Sequence, residues 1–132
     1  VDRELICDIT QKYGNQSVGV IVDYSIEAND RYVYSNSGNL RLVRLADYFS
    51  QINELPIGEI VLQCINLEGV MSRGDEELIN FNFNTDKNVI FSGGISKNAL
   101  KSLPREYSYM LSTDFIFMKG NRNSILFTYH DM

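Results

Sequence analysis

The chain contains few of the residues that build metal centres or disulfide frameworks. Its 132 residues include two cysteines and one histidine. Cys7 and Cys64 lie far apart with no Cys-x-x-Cys pair, so we expect reduced, buried thiols and neither a metal site nor a cofactor. His130 stands beside Asp131 near the chain end and reads as a solvated residue.

Basic residues and long apolar runs are also scarce. Twelve Lys and Arg stand against 17 Asp and Glu, a net charge of -5 that argues against nucleic acid as a partner. No apolar run reaches the roughly 18 residues of a membrane helix, and no signal peptide opens the chain. We therefore expect no membrane association and, by default, a cytoplasmic location.

The remaining composition is that of a folded domain. Hydrophobic residues make up 44% and charged residues 22%, enough for one core over residues 1–132. The first residue is Val1 and not Met, which leads us to expect that the sequence begins inside a longer gene product.

The most informative stretch runs from Val89 to Ser96. Val89-Ile90-Phe91 reads as a buried parallel strand, and Gly93-Gly94 follow at its carboxyl end. Paired glycines let backbone N–H groups approach a ligand, and a helix beginning next favours an anion such as phosphate. The alternative is a tight turn between strand and helix with no ligand.

Three further segments have the same form. Strands are predicted over residues 17–23, 59–65 and 109–113, and helices over residues 42–55, 76–83 and 97–103. Helical spacing of apolar residues over 5–13 predicts a first helix, with Asp2 as its N-cap and Gly14 as its stop. A small β-hairpin insertion is predicted at about 25–36 and is closed by residues 37–39. Four βα units in succession indicate an α/β fold with parallel strands. Residues 115–129 have no clear pattern.

Two architectures accommodate four βα units. One is the carboxyl-terminal half, strands five to eight, of a (βα)8 TIM barrel, which as a whole needs about 250 residues. The other is a small open doubly wound sheet, which fits the length directly. Length favours the open sheet, and the motifs favour the half-barrel.

The motifs occur in a fixed order along the chain. They are residues 13–18, 20–23, 37–38, 58–62, 68–72 with Asp75, and 92–94. In this order they resemble the second half of the cyclase subunit of imidazole glycerol phosphate synthase. The closing residues 115–129 are more similar to the branch of that family found with surface-polysaccharide genes.

The resemblance implies the carboxyl-terminal half of a (βα)8 barrel and an enzyme, a lyase or cyclase acting on a phosphorylated ribosyl substrate. It also implies a partner glutaminase that docks at the amino-terminal face of the barrel and supplies ammonia to the carboxyl-terminal face. Asp23 matches the family's strand-five general acid/base, a role that needs a carboxylate at a strand end. The positions that match the family's phosphate and substrate contacts are Gly69, Gly94, Thr113, Gly93 and Ser37. Glu59 matches an acidic residue at the ammonia entrance, with Gln16 nearby.

Departures from the family pattern fall on the segment after the third strand. Family members carry Ser-Ile-Asp-Arg-Asp-Gly-Thr where this chain has Cys-Ile-Asn-Leu-Glu-Gly-Val over residues 64–70. Asn66 lacks a carboxylate, Leu67 lacks a cation and Val70 lacks a hydroxyl. The family's other catalytic aspartate, at the end of strand one, belongs to a half that is not in this sequence.

Three hypotheses follow. The first is an ammonia-dependent cyclase in histidine or surface-polysaccharide biosynthesis, with the 132-residue segment inactive alone. The second is a diverged, non-catalytic module that binds phosphate or docks a glutaminase. The third is a bare half-barrel that pairs with a second copy or with the amino-terminal half of its parent chain, because its open sheet edges invite pairing.

Overall fold

The computed structural model describes residues 2–111, which form a mixed α/β structure around one six-stranded sheet. Thr113, residues 115–129 and His130 lie outside the described residues. In chain order the helices and strands are α1 (Arg3–Tyr13), β1 (Gly19–Glu27), β2 (Asp30–Ser35), β3 (Leu40–Arg44), α2 (Leu45–Asn53), β4 (Glu59–Cys64), α3 (Glu76–Ile79), β5 (Asn88–Ser92) and β6 (Ser108–Tyr109). Short 3₁₀ turns add Asn15–Ser17 and Ala99–Lys101.

The sheet has the strand order β3-β2-β1-β4-β5-β6. β1, β4, β5 and β6 are parallel, which confirms the predicted parallel arrangement, whereas β2 and β3 pair antiparallel on the β1 side. The parallel strands follow chain order across the sheet without a reversal. The apolar runs of β1, β4 and β5 therefore lie side by side, as continuous runs in parallel strands do.

The two faces of the parallel strands differ in cover. One face, here the closed face, carries side chains that are 9% exposed or less: Val20, Val22, Tyr24, Ile60, Leu62, Cys64, Val89 and Phe91. They form one core with residues of α1 and α2, among them Ile6, Leu45 and Ile52. The opposite, open face carries the alternate residues of the same strands, and its Ile21 is 66% exposed. Among residues 2–111 the main core therefore lies on one side of the sheet.

Two helices are close to their predicted bounds. Asp2 caps α1 by accepting the Leu5 amide at 3.0 Å, and Gly14 ends it at a φ of 89°. α2 begins at Leu45, three residues after the predicted start of that helix. Residues 42–44 belong to β3 instead, because they pair with β2.

The other two predicted helices are wrong in extent. Of residues 76–83 only Glu76–Ile79 is helical, and of residues 97–103 only a 3₁₀ turn forms at Ala99–Lys101. Aromatic packing replaces the first: the Phe83 ring lies 4.9 Å from Phe49 and 5.8 Å from Phe91, centroid to centroid. A helix continued past Ile79 is incompatible with that placement.

The hairpin is larger than predicted. β1 continues to Glu27, four residues past Asp23, and β2 and β3 extend the sheet to Arg44. We call residues 25–44 the hairpin arm. The chain reverses through Ala28 at a φ of 54°, a left-handed conformation typical of a tight turn.

Two expectations from composition have different outcomes. Cys64 is buried, but Cys7 is exposed on α1, so the prediction that both thiols are buried is wrong for Cys7. Both thiols are free, as expected. Within residues 2–111, no helix has the length and apolar character needed to cross a lipid bilayer.

Candidate functional site

Three polar side chains form a row across the open face near the carboxyl ends of the parallel strands. In the strand register Asp23 pairs with Gln63, and Gln63 pairs with Ser92. Paired residues on neighbouring strands point to the same face, with strands about 4.8 Å apart. An acid, an amide and a hydroxyl therefore line one edge of the open face.

Asp23 does not occupy a strand end, which corrects the sequence prediction. It lies within β1, which continues into the hairpin arm to Glu27. However, Ser92 is the last residue of β5 and Gln63 the second-last of β4. Asp23 is consequently level with the carboxyl ends of its parallel neighbours, although its own strand goes on.

The glycine pair after β5 packs against the loop that follows β4. We call residues 65–75 the β4 loop. The Gly94 carbonyl accepts hydrogen bonds from the Ser72 amide at 2.9 Å and from the Ser72 hydroxyl at 3.0 Å. The Ser72 hydroxyl also accepts the Gly74 amide at 3.1 Å. These bonds bring the Gly94 turn and the β4 loop, which contains Gly69, to the same end of the sheet as Asp23.

Glycine is required at both positions of the pair. Gly93 and Gly94 are buried with φ of 98° and 72°, a region that side chains rarely adopt. A Cβ on Gly94 meets the Leu67 carbonyl oxygen at 2.9 Å, and one on Gly93 overlaps the Cys64 carbonyl. The close approach of two backbones explains this pair, so the tight-turn interpretation has direct structural support.

Gly69 has a different environment. Its φ is 80°, yet a Cβ added there has no atom within 4 Å. The left-handed turn alone explains the glycine, and the surrounding space is open to a ligand. A phosphate contact at Gly69, Gly93 or Gly94 remains a prediction.

Ser37 lies in the turn between β2 and β3. Asn36, Ser37 and Gly38 have consecutive positive φ values of 53°, 56° and 80°. A Cβ on Gly38 lies 3.3 Å from the Ile65 side chain, at the start of the β4 loop. The turn between β2 and β3 therefore reaches the carboxyl end of β4. Backbone held in such sparsely populated conformations is concentrated at functional sites.

Glu59 and Gln16 lie at the opposite end of the sheet. Glu59 is the first residue of β4 and is exposed, and Asn88 donates to its carboxylate at 3.4 Å. Gln16 lies in the Asn15–Ser17 turn, and its Cα is 2.9 Å from a Cβ built on Gly58. Both residues thus lie at the amino ends of the parallel strands, and an ammonia-entrance role for Glu59 stays a prediction.

A buried polar network lies beneath the row. Arg31 of β2 forms two hydrogen bonds with Asp75, Nε to Oδ2 at 2.8 Å and Nη2 to Oδ1 at 2.6 Å. Asp75 is 5% exposed. The pKa of Tyr24 is raised, first by burial and then by the Cys64 and Asp75 groups that face its hydroxyl. Burial also raises the pKa of the Cys64 thiol to about 11. Tyr24 and Cys64 therefore remain protonated at neutral pH.

The arrangement suits proton transfer beside a bound anion. Asp23 supplies a carboxylate on the open face, and the neighbouring turns present glycine backbone. Glu68, one residue before Gly69, accepts a hydrogen bond from Gln63 Nε2 at 3.4 Å and adds a negative charge that opposes an anion there. Among residues 2–111 no group of three metal-ligating side chains is present.

The site predicted from sequence did not include Gln63 or Arg31. Gln63 follows the apolar residues 60–62 of β4, and that polar break was an available signal. Arg31 has no comparable signal because its partner, Asp75, is 44 residues away. Asp75 and Ser92 belong to the motifs that carry the family resemblance, but neither was a predicted site residue.

Comparisons with known proteins confirm the family that the motifs resemble. A family model described as histidine biosynthesis protein matches residues 1–108. The chain is similar to proteins named imidazole glycerol phosphate synthase subunit HisF. It is 30% identical over 94 residues to that of Staphylococcus carnosus, covering 68% of this chain and 37% of the relative. Identity is 32% over 96 residues to the Chlorobium limicola protein and 33% over 95 to the Thermotoga sp. protein, each covering 70% of this chain and 38% of the relative. The chain thus spans less than two fifths of these relatives.

Proposed function

The chain belongs to the histidine biosynthesis protein family, and from this premise we propose that it is the carboxyl-terminal half of a HisF-type (βα)8 barrel. Parallel strands in chain order, without the reversal of a doubly wound sheet, support this architecture. Among residues 2–111 the main core lies on one face, which supports it as well, because the inner face of a half-barrel lacks its opposing strands. β2 pairs with β1 only from Tyr24 onward, so within the described part of the chain residues 19–23 of β1 have no strand beside them on that side. In the proposed barrel, strand four of the amino-terminal half pairs with this edge.

The proposed activity is that of an ammonia-dependent cyclase on a phosphorylated ribosyl substrate, with a glutaminase docked at the amino ends of the strands. The row of Asp23, Gln63 and Ser92 carries the proposal, because it places an acid level with the glycine turns. Asp23 transfers the proton during ring closure. Backbone amides of Gly69, Gly93 and Gly94, with Ser37 and Thr113, hold one phosphate, and Glu59 marks the entrance for ammonia.

The experiment mixes this chain with the amino-terminal half-barrel of a HisF relative and supplies ammonium salt and substrate. We expect turnover only in the mixture, because half of the active site is absent from each part. Asp23→Asn should lower kcat by a factor of about 10² to 10⁴ while leaving phosphate affinity nearly intact. The matched control is Asp86→Asn, whose 91% exposed carboxylate precedes β5 at the opposite end. An unchanged rate in Asp23→Asn removes Asp23 from the mechanism.

One observation favours a second candidate, a non-catalytic phosphate-binding or glutaminase-docking module. Asn66 stands where the family carries an aspartate, and its amide is engaged with both backbone groups of Ile26. Leu67, at the family's arginine position, packs against the core. Phosphate-induced shifts of the Gly69 and Gly94 amides without turnover in the mixture would favour this module. A role in histidine or surface-polysaccharide biosynthesis stays a prediction.

A further inference from the structure

The β4 loop is tied to the hairpin arm at both of its ends. At its beginning, the Asn66 side chain accepts the Ile26 amide through Oδ1 at 3.2 Å and donates Nδ2 to the Ile26 carbonyl at 3.1 Å. The Ile65 amide also donates to the Tyr24 carbonyl at 2.8 Å. The Asn66 side chain thus continues the hydrogen bonding between β1 and β4 into the start of the loop.

At the end of the loop, Arg31 holds Asp75. The paired hydrogen bonds at 2.6 and 2.8 Å are supplemented by one from Arg31 Nη2 to Glu77 at 3.0 Å. The side chains of Arg31 and Asp75 are 17% and 3% exposed. Asp75 also accepts the Leu78 amide at 3.3 Å and so caps α3. A bidentate pair of this kind fixes orientation as well as distance.

The segment between these two ties carries the predicted anion contact. Inside it, Val70 donates to the Leu67 carbonyl at 3.1 Å, and Ser72 donates to Gly94 at 2.9 Å. Gly69 lies within the turn that the first of these bonds closes, and a Cβ added to it has no atom within 4 Å. With both ends held, the conformational entropy that the loop loses on ligand binding is already lost in the free protein.

We propose that Arg31 and Asn66 are positioning residues that hold the β4 loop in its anion-binding conformation through the hairpin arm. This inference rests on the proposed function for its ligand, an inorganic or ester phosphate, but the loop order itself does not. Asn66 suits its task better than the family's aspartate, because a carboxylate accepts the Ile26 amide but has no proton to donate to the Ile26 carbonyl.

The test uses the full chain and compares Arg31→Met, Arg31→Lys and Asn66→Asp with wild type. Hydrogen exchange of the Val70 and Ser72 amides should become faster in Arg31→Met and Asn66→Asp, while the Leu62 amide in β4 keeps its relative protection. Arg31→Lys should recover part of the protection, because an ammonium keeps the charge but loses the fork geometry. Arg3→Met is the matched control, since it removes an arginine from an exposed pair with Glu54 at 3.6 Å.

Inorganic phosphate supplies the second readout. We expect about tenfold weaker binding in Arg31→Met, followed at the Gly69 and Gly94 amides by NMR, and no change in Arg3→Met. Unaltered exchange of the loop amides, or equal effects in Arg3→Met, overturns the positioning role. Absence of phosphate shifts in the wild-type chain contradicts the proposed function instead, and the exchange measurement still decides the positioning role. If Arg31→Met does not fold, Arg31→Lys and Asn66→Asp decide it.

Discussion

The two faces of the central strands perform opposite tasks with side chains that alternate along the same backbone. On the closed face Leu62 and Ile60 are fully buried, whereas Ile21 on the open face is 66% exposed. Below the polar row, the open face has an apolar row of Ile21, Val61 and Ile90 in register. Among residues 2–111 the closed face carries the main buried core, and the open face leaves side chains accessible.

The difference shows how stability and chemistry are separated in a parallel sheet. A substitution on the closed face removes packing, whereas one on the open face changes what another molecule or strand can contact. β4 is the clearest case, because the burial of its residues 59–64 alternates along the strand from one position to the next. Adjacent residues therefore offer matched pairs for testing the comparison.

The largest expected effect comes from shortening a closed-face side chain. Leu62→Ala should lower the free energy of unfolding by about 2–5 kcal/mol, because it leaves a cavity in a fully buried site. Val61→Ala, one residue earlier and half-buried on the open face, should cost less than about 1 kcal/mol. Urea denaturation followed by circular dichroism measures both values. Equal losses would mean that the open face is packed as tightly as the closed one.

A rise in pH is expected to have an intermediate effect on the free energy of unfolding. Burial raises the Cys64 pKa from its ordinary value of 9.0 to about 11, so the folded state binds this proton more tightly than the unfolded chain. The corresponding stability is fully present below about pH 9 and is lost as the pH rises toward 11, by about 2–3 kcal/mol. Stability measured across this range should fall less steeply in Cys64→Ala than in wild type. The exposed Cys7 provides the control: Cys7→Ala should keep the wild-type slope, and equal slopes in all three proteins would refute the assignment.

The smallest effect on folding is expected on the apolar row of the open face. Ile21→Thr should change the free energy of unfolding by no more than about 0.5 kcal/mol, because the side chain is mostly exposed already. If this face is the inner wall of a half-barrel, the same variant should weaken association with a second copy or with an amino-terminal half-barrel. Analytical ultracentrifugation measures the association. Leu5→Thr, at a 56% exposed position on α1, is the control, and weakening of equal size there would deny the open face a specific role.

Local patterns predicted the parts of the fold whose causes are local. The apolar runs of β4 and β5, the Asp2 cap and the Gly14 stop all follow from neighbouring residues. The helix after β4 was predicted too long, because Phe83 leaves a helical path to pack between Phe49 and Phe91. The helix predicted after β5 was also too long, since only Ala99–Lys101 forms a 3₁₀ turn there. No periodicity within residues 76–83 records those distant rings.

The candidate site divides in the same way. The glycine turns at Gly69 and Gly94 were found from sequence because left-handed backbone favours glycine wherever it occurs. Of the polar row, sequence reasoning named Asp23 as a site residue but not Gln63 or Ser92. It also missed the contacts made by Arg31 and Asn66. They join residues 44 and 40 positions apart, which only the folded chain brings together.

By itself, the sequence determined the parallel strands, their order along the chain and the family, since each rests on runs of residues or on motif order. The tertiary structure alone decided that β1 continues past Asp23 into the hairpin arm, and that the arm fixes the β4 loop. The physical reason is that strand length depends on an available pairing partner. Asp23 lies within a strand because β2 folds back to pair with the residues that follow it.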